Sequence, residues 1–401
     1  MMPSPAHTTT FRPTSAIALL LAMLLAMGCN DPGNSAPEPD DEVEPSEGGG
    51  ELHESRLLDF RLDTIVDGLE HPWGMAFLPD GDVLVTERPG RLRLVRDGSL
   101  VEAPIRGLRS VGAGGQGGLL DIALHPAFAS NRLVYFSYSK RGRGGRTTVV
   151  ARARFENDRL RDLEDIYEAE AWGGQEVHFG SRLAFDASGY LYVTVGERGE
   201  MDEAQDLSND QGAVLRLNDD GSIPSDNPFV DEPDGAEAVW AYGIRNAQGL
   251  AFHPETGELW EAEHGPQGGD EINVIERGRN YGWPEITYGV DYDGSVISPL
   301  TEKEGMEQPV HHWETSPALS GLTVYDGEAF GPWQGHLFAG GLAGQQLLRL
   351  EFDGHEIVDS EELLTNLGHR IRDVRTGPDG MLYLLVDDSD APMLRLEPAG
   401  S

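Results

Sequence analysis

One histidine lies where the sequence predicts a loop that leads into a β-strand. His178 occurs in the stretch QEVHFGSRL, residues 175–183, and alternating apolar residues follow it. Histidine is the side chain most often used as a base near neutral pH, and functional groups concentrate on loops that a rigid scaffold positions. His178 is therefore a candidate general base. A purely structural role in the loop is the alternative.

A second group of candidates surrounds a glycine-rich, acidic stretch. Arg245 and Asn246 occur in AYGIRNAQGLAF, and EHGPQGGDEINVIERGRNYGWP follows at 263–284. The second stretch combines the carboxylates of Asp270 and Glu271 with exposed backbone carbonyls. Calcium takes oxygen ligands of this kind, although the EF-hand spacing is absent. An acidic loop without a ligand is the alternative.

Two arginines, Arg370 and Arg372, are separated by a single residue. In a strand, this spacing directs both guanidinium groups to one face. Paired guanidinium groups suit the carboxylates or phosphates of a ligand. The alternative is that both arginines form ion pairs with acidic residues of the chain itself.

The stretch GAGGQGGLLDIALHP, residues 112–126, contains the G-x-G-x-x-G spacing of a dinucleotide-binding loop. That fingerprint requires a helix directly after the loop, and Pro126 would stop any helix within about two turns. The sequence therefore favours glycines that allow a tight turn and a close approach before a strand, Leu119 to Leu124. Gln116 would then direct a neutral amide at a central channel.

These candidates need a scaffold, and one hairpin pattern supplies it six times. Two strands with alternating apolar residues flank a turn at 74–87, 121–139, 182–197, 249–263, 321–341 and 373–388. Helical periodicity is nearly absent, so the pattern predicts an all-β fold, a six-bladed β-propeller, with a β-sandwich as the alternative. Because each candidate sits at or beside a strand end, we expect them to converge on one rim. Such a site suits a small, anionic, planar ligand held with a metal, and no nucleophile elbow of a serine hydrolase is present in the sequence.

The N-terminal part of the 401-residue chain differs in composition from the rest. An apolar run that ends at Cys29, the single cysteine, predicts a lipoprotein-type signal peptide over residues 1–29 with lipid attachment at Cys29. Ordinary cleavage with an incidental cysteine is the alternative. Residues 30–55 are rich in Asp, Glu, Pro, Gly and Ser and predict a disordered acidic linker, followed by the propeller domain at 56–399.

The charge of the chain limits its partners and its location. The formal net charge is −39, and no basic face is evident, which argues against a nucleic-acid partner. Together with the signal peptide, this composition predicts a periplasmic or cell-surface protein that is attached to a bacterial membrane through its lipid anchor alone.

The motifs together resemble those of the soluble quinoprotein aldose sugar and glucose dehydrogenases, which use pyrroloquinoline quinone (PQQ) and calcium. The resemblance extends in order over nearly the whole predicted propeller. The matching segments are GQGGLLD (115–121), HFGSRLAFD (178–186), AQDLSNDQGAVLRLNDDGSIPSDNPF (204–229), YGIRNAQGLAFHP (242–254), EHGPQGGDEINVIERGRNYGWP (263–284), EQPVHHWETSPALSG (307–321) and RIRDVRTGPDG (370–380). Members of this family are six-bladed propellers, as the repeats predict.

The resemblance implies a role for each matching residue. His178 matches the general base that takes the proton of the sugar C1 hydroxyl, and Arg245 matches an arginine near the quinone oxygens. Further cofactor contacts are implied for Gln116, Asn246, His264, Tyr292, Thr315, Gly341, Leu342, Ala343, Arg370, Ile371 and Arg372. Trp313 matches a sugar contact. Metal contacts are implied for Gly265 and Pro266, at the cofactor's calcium, and for Glu271 and Tyr281, at a second calcium site.

The resemblance predicts a PQQ- and calcium-dependent enzyme that oxidises aldose sugars at C1 to lactones and passes the electrons to an external acceptor. One departure from the family concerns the cofactor, because Ala343 stands where many relatives have a lysine against PQQ. This departure is the best argument for one alternative function, a non-catalytic sugar-binding propeller, and a calcium-dependent propeller lactonase is the other alternative.

Overall fold

The structure, a computed structural model, describes residues 50–233 and 235–400. In this part of the chain, short antiparallel strands form six sheets, which are the blades of a propeller. Blade 1 contains β3 (Pro72–Phe77), β4 (Val83–Glu87), β5 (Arg91–Arg96) and β6 (Ser99–Leu100). Blade 2 contains β7 (Leu119–Leu124), β8 (Leu133–Gly142), β9 (Gly145–Phe155) and β10 (Leu160–Glu168). Blade 3 contains β11 (Leu183–Phe185), β12 (Leu191–Val195), β13 (Ala213–Leu217) and β14 (Val239–Tyr242).

The remaining blades follow the same order along the chain. Blade 4 contains β15 (Ala247–Phe252), β16 (Leu259–Glu263), β17 (Asp270–Ile275) and β18 (His311–Trp313). Blade 5 contains β19 (Leu319–Val324), β20 (Leu337–Gly341), β21 (Gln346–Asp353) and β22 (Glu356–Leu363). Blade 6 contains β23 (Ile371–Thr376), β24 (Leu382–Val386) and β25 (Ala391–Pro398), and it is completed by β1 (Glu51–His53) and β2 (Phe60–Leu69). Helix is confined to α1 (Phe128–Asn131) and two 3₁₀ turns, Met201–Gln205 and Gly331–Trp333, within the described ranges.

The ring closes because the two ends of the described chain share blade 6. Strand β2 pairs with β25, so the first long strand adds to the sheet that the last three strands form. The first strands of the blades also contact one another in sequence around the axis, and β23 returns to β3. Closure of this kind packs every blade between two neighbours, so that no blade exposes an apolar face at the end of an open array. The predicted six-bladed propeller is confirmed, and each of the six predicted hairpins forms the first two strands of one blade.

The hydrophobic core lies between neighbouring blades. Leu84 and Leu92 of blade 1 pack with Phe136 of blade 2, and equivalent clusters fill the other interfaces around the ring. Alternation along a strand sends side chains to both faces of each sheet, so every blade buries apolar residues against two neighbours.

A buried ion network links the first strands of several blades. Arg182 of blade 3 donates to Asp373 of blade 6 at 2.8 Å, and Arg375 donates to Asp121 of blade 2 at 2.9 Å. Asp121, Asp373 and Arg182 are almost fully buried. These paired charges therefore link three blades through their first strands.

The structure corrects the predicted end of the linker at residue 55. Strand β1 pairs with β2, and the ring of His53 stacks on Phe60 at 5.4 Å between centroids. The acidic composition near residue 50 hid this edge strand, whose outward residues remain exposed. The predicted signal peptide, most of the predicted linker and Cys29 lie outside the described residues. Among residues 50–233 and 235–400, no helix has the length and hydropathy to cross a membrane.

Candidate active site

The site is built from residues at equivalent places in different blades. His178, Arg245 and Asn246 lie before the first strands of blades 3 and 4, whereas His264 and Leu342 directly follow the second strands of blades 4 and 5. In each hairpin, the first strand begins and the second strand ends at the same end of the blade. The propeller therefore brings these positions together around the axis, as the repeats predict.

His178 is held by a buried carboxylate. Its Nδ1 lies 2.6 Å from Oε2 of Glu197, which follows the second strand of the same blade. Burial lowers the pKa of His178 below its ordinary value, and the hydrogen bond and charge of Glu197 offset only part of this effect. His178 is a non-glycine residue with a φ of 52°. Backbone strain of this kind persists where the surroundings fix a side chain in place.

Three amide side chains connect the histidine to a cavity at the top of the channel. The backbone N–H of His178 donates to Oε1 of Gln116 at 2.7 Å. The Oδ1 of Asn246 accepts from the N–H of Gly180 at 3.1 Å, and Gln248 donates to the carbonyl of Gly180. All three amides line the cavity.

Arg245 and His264 border the site on the blade 4 side. The guanidinium of Arg245 donates to the carbonyls of His264, at 3.0 Å, and Gly265, at 2.8 Å. Burial, together with the nearby charges of Arg372 and Arg245, lowers the pKa of His264 to about 3. The Nε2 atom of this neutral imidazole is buried without a hydrogen-bond partner, although His264 lines the cavity. It is therefore available to a ligand.

A group of cationic side chains around one carboxylate forms the opposite wall. Asp387 directly follows the second strand of blade 6, and its Oδ2 lies 3.4 Å from Arg370 and 3.3 Å from Arg372. Its Oδ1 lies 2.9 Å from Nδ1 of His71 and 4.0 Å from Arg88. Burial opposes the ionisation of Asp387, but the surrounding cations outweigh it and hold the pKa of this carboxyl well below its ordinary range. Three arginines thus share one carboxylate, which leaves a net positive charge in the cavity.

An aromatic ring forms part of the cavity wall. Trp73 lines the cavity, and the guanidinium carbons of Arg182 and Arg372 lie 4.1 Å and 5.7 Å from its ring centroid. Cations over the faces of an indole ring are stabilised by its electron density, so Trp73 helps to hold both guanidinium groups in a buried place.

Other residues predicted as cofactor or sugar contacts do not line this cavity. The side chain of Ile371 packs in the hydrophobic core, and its carbonyl accepts from the hydroxyl of Ser320. The alternation that sends Arg370 and Arg372 to one face sends the residue between them to the other. Tyr292 is 70 % exposed, with its hydroxyl 3.4 Å from Arg245. Gly341, Ala343, Trp313 and Thr315 also lie outside the lining of the cavity, and Ala343 and Thr315 are exposed.

The predicted metal residues lie behind Arg245, in the loop that follows β16 and on the neighbouring β17. Glu271 is the cross-strand partner of Glu263, and both border a cavity of about 10 Å³ that Gly265 and Tyr281 also line. Burial raises the pKa of Glu263 to about 7 and that of Glu271 well above its ordinary value. Pro266 lies beside this cavity, against Gly289.

The side chains alone do not complete a metal site. The hydroxyl of Tyr281 donates to the carbonyl of Val274 and accepts from the N–H of Glu276, so only the main-chain carbonyl of Tyr281 is left for a cation. In the described part of the chain, no group of three or more His, Cys, Asp and Glu side chains is arranged to hold a metal ion. Backbone carbonyls would have to complete the ligand set.

Sequence reasoning missed several residues of the site. Glu197, Asp387 and Arg88 follow the second strands of their blades, at places equivalent to that of His264, and Trp73 and Gln248 lie in first strands. The repeat itself was the available signal, because every hairpin that contributes a residue before its first strand also offers one after its second.

The glycine-rich loop has the alternative role that its sequence favoured. The backbone N–H of Gly114 donates to the carbonyl of Gly117, and the N–H of Gly117 donates to the carbonyl of Gly114. The chain then enters strand β7 and not a helix. A Cβ atom on Gly118 would lie 1.9 Å from the carbonyl oxygen of Arg88, which accepts from the N–H of Leu119. The glycine therefore allows two blades to approach at the site, and the dinucleotide interpretation is excluded by the missing helix.

Comparisons with known proteins agree with this geometry. The chain is 43 % identical over 344 residues to aldose sugar dehydrogenase YliI of Escherichia coli (strain K12), covering 84 % of this chain and 92 % of the relative. The apo-form structure of the soluble aldose sugar dehydrogenase from Escherichia coli superposes with a TM-score of 0.81 at 42 % identity, covering 84 % and 99 % of the two chains. The PQQ-bound form of aldose sugar dehydrogenase from Streptomyces coelicolor has a TM-score of 0.71 at 28 % identity, covering 84 % and 98 %.

A family-wide comparison covers most of the propeller. The sequence pattern of the family described as glucose/sorbosone dehydrogenase matches residues 69–395, from the end of β2 to within β25. The match includes His178, Glu197 and the whole cationic wall. The resemblance and the expected enzyme class, an oxidoreductase, are thus confirmed. The chain belongs to the glucose/sorbosone dehydrogenase family.

Proposed function

We propose that this protein is a PQQ- and calcium-dependent aldose sugar dehydrogenase, which oxidises the C1 hydroxyl of its sugar to a lactone and delivers the electrons to an external acceptor. The observation that carries the proposal is the pairing of His178 with Glu197 beside a cavity with a cationic wall. A lone base would also suit a hydrolase, but a base next to a positively charged, anion-binding cavity suits a redox cofactor that carries carboxylates.

His178 is the residue placed to accept the proton of the sugar hydroxyl. Its Nδ1 faces Glu197 at 2.6 Å, so the carboxylate favours a proton on Nδ1 and leaves the lone pair on Nε2. Because its pKa is lowered, the imidazole stays neutral and able to accept a proton at neutral pH. Glu197 then stabilises the imidazolium that forms.

The cavity fits an anionic, planar cofactor. Arg370, Arg372 and Arg88 supply positive charge, and Nε2 of His264 is a buried polar atom that lacks a partner until a ligand is present. Gln116 and Asn246 add neutral amides. When bound, PQQ would supply the electron sink that takes up the hydride from the sugar carbon. The guanidinium of Arg245 would place positive charge near the reducing group, where it stabilises developing negative charge.

The loop after β16 and the neighbouring β17 fit the two calcium ions that the resemblance implies. Glu263 and Glu271 face each other in a small buried cavity, and their raised pKa values reflect burial without enough positive charge nearby. The neighbouring Glu261 is also buried, with one carboxylate oxygen unpaired. A divalent cation held by Glu271 and the carbonyl of Tyr281 would compensate these carboxylates, and the carbonyls of Gly265 and Pro266 would hold the separate calcium of the cofactor.

An activity assay with added calcium and PQQ tests the proposal. The protein is purified without cofactor, calcium and PQQ are added singly and together, and reduction of an artificial dye is followed with glucose or another aldose. We expect dye reduction only when both are present. Acid release from a lactone without PQQ would instead establish the lactonase, and sugar binding without either reaction would establish the non-catalytic propeller.

One variant tests the assignment of the base. His178→Ala should bind PQQ with nearly unchanged affinity, because the cationic wall is intact, and should lose turnover by at least about 10²-fold. Turnover near the level of the unchanged protein would contradict the assignment.

We also propose that the propeller is attached to a bacterial membrane on the periplasmic or outer side through a lipid on Cys29. The apolar run before this cysteine and the acidic segment after it support the proposal. Fractionation of cells should find the protein with membranes, and Cys29→Ala should move it to the soluble fraction.

A further inference from the structure

The cationic wall contains one arginine that the family resemblance does not assign. We propose that Arg88 of blade 1 is a cofactor-binding residue, and that its guanidinium supplies the charge which many relatives place on a lysine at the position of Ala343. The inference rests on the proposed PQQ-dependent function and names a further residue for it.

The place of Arg88 in the fold is that of a site residue. It directly follows β4, as His264 follows β16 and Asp387 follows β24. Its backbone is fixed on both sides, because its N–H donates to the carbonyl of His71 and its carbonyl accepts from the N–H of Leu119. The side chain lines the same cavity as Arg370 and Arg372.

Arg88 differs from the other two arginines of the wall in how it is bound. Arg370 donates to the carbonyl of Leu342, and Arg372 donates to Oε1 of Gln248, in addition to their contacts with Asp387. The Nη2 atom of Arg88 reaches Asp387 only at 4.0 Å, beyond hydrogen-bond distance. Within residues 50–233 and 235–400, its guanidinium donates no hydrogen bond. It therefore has donors to offer a ligand.

The charge balance also favours a ligand at this place. Three arginines surround the single carboxylate of Asp387, which leaves positive charge in excess. The formal net charge of the chain is −39, so acidic residues that could neutralise this excess are abundant in the sequence. The side chain of Arg88 is 23 % exposed and that of Asp387 is 8 % exposed. A guanidinium that is partly enclosed and incompletely paired is suited to a bidentate contact with a carboxylate.

Ala343 is the chain neighbour of Leu342, which lines the cavity. It follows Leu342, whose carbonyl accepts from Arg370, and Arg370 shares Asp387 with Arg88. The side chain of Ala343 is a single exposed methyl group that supplies no charge. The guanidinium of Arg88, from blade 1, would thus contact the ligand in place of a lysine at position 343, in blade 5.

Titration with PQQ tests the inference independently of turnover. Binding of PQQ to the full chain is followed by quenching of tryptophan fluorescence for the unchanged protein, Arg88→Ala, Arg88→Gln and Arg88→Lys. We expect Kd to rise about tenfold or more in Arg88→Ala and Arg88→Gln, and less in Arg88→Lys, because one charge-assisted contact is lost in the first two. Arg161→Ala, which removes an exposed arginine on the outer strand of blade 2, should leave Kd unchanged.

A rescue experiment separates a charge contact from a structural role. Adding Ala343→Lys to Arg88→Ala should restore most of the lost affinity for PQQ. A lysine at position 343 returns a positive charge but does not refill the space left by Arg88, so this recovery would indicate a charge contact. A Kd within twofold of the unchanged protein in both Arg88→Ala and Arg88→Gln would overturn the inference. Failure of the unchanged protein to bind PQQ would instead overturn the proposed function on which the inference rests.

Discussion

Glu197 accepts a 2.6 Å hydrogen bond from Nδ1 of His178, although 18 residues separate the two along the chain. The two residues flank the first hairpin of blade 3, His178 before its first strand and Glu197 after its second. The carboxylate is also bound by the N–H of Gly199, so its orientation is fixed from a second side. The imidazole therefore has a fixed direction, and the carboxylate favours a proton on its Nδ1 atom.

The first prediction concerns that pair. Glu197→Gln should lower kcat by about 10²- to 10⁴-fold, because the amide no longer stabilises the imidazolium and no longer selects the tautomer with a free Nε2. PQQ affinity should stay within about twofold, as measured by fluorescence titration. Glu200→Gln, an exposed glutamate three residues further on, is the matched control and should retain full activity. Equal activity in both variants would refute the role of Glu197.

The second prediction is the pH dependence of kcat/KM. Burial lowers the pKa of His178, Glu197 raises it in part, and Arg245 and Arg198 lower it further. A lowered pKa means that the neutral, proton-accepting form persists to lower pH, so the acid limb should lie below the ordinary histidine pKa of about 6.5. In Glu197→Gln the limb should move further to low pH, because the group that raises the pKa is gone. The profile is measured with two dyes, and a limb that moves upward in the variant contradicts the assignment.

The third prediction concerns calcium. After treatment with a chelator, added calcium should raise the melting temperature by several degrees, because an ion that binds only the folded state stabilises it. Glu271→Gln should abolish most of this shift, whereas Glu302→Gln, which alters an exposed glutamate, should keep it. Magnesium is the control ion, since it requires a more rigid octahedral ligand set. An undiminished shift in Glu271→Gln would place the ion elsewhere.

The fourth prediction concerns the close approach of blades 1 and 2. Gly118→Ala should lower the free energy of unfolding by about 2–3 kcal/mol, since its Cβ would lie 1.9 Å from the Arg88 carbonyl oxygen and the backbone must shift. PQQ affinity should fall as well, because Arg88 moves with its carbonyl. Urea unfolding and PQQ titration measure both effects. Gly331→Ala is the control, as nothing lies within 4 Å of its added Cβ.

Patterns within short segments of the sequence predicted the class of fold and the candidate site residues that precede the first strands of the blades. Period-two alternation around short turns identified the six hairpins, since a strand that buries alternate residues leaves that pattern in any single sequence. The positions before first strands, such as His178, Arg245 and Arg370, followed directly. The same reasoning placed Arg370 and Arg372 on one face, and both lie against Asp387 in the structure.

Tertiary structure decided the partners. Asp387, His71 and Arg88 come from blades 6 and 1, at opposite ends of the described chain, and only the closure of the ring brings them together. It also decided that Ile371 belongs to the core and that Glu51–His53 is a strand. The spacing of residues in the sequence shows which side chains share a face of one strand. Their burial, their distances to ion-pair partners and the resulting pKa shifts depend on strands that are separated by hundreds of residues. That is why the sequence by itself pointed to His178 and the arginines, whereas the folded ring determined which residues hold them and how buried they are.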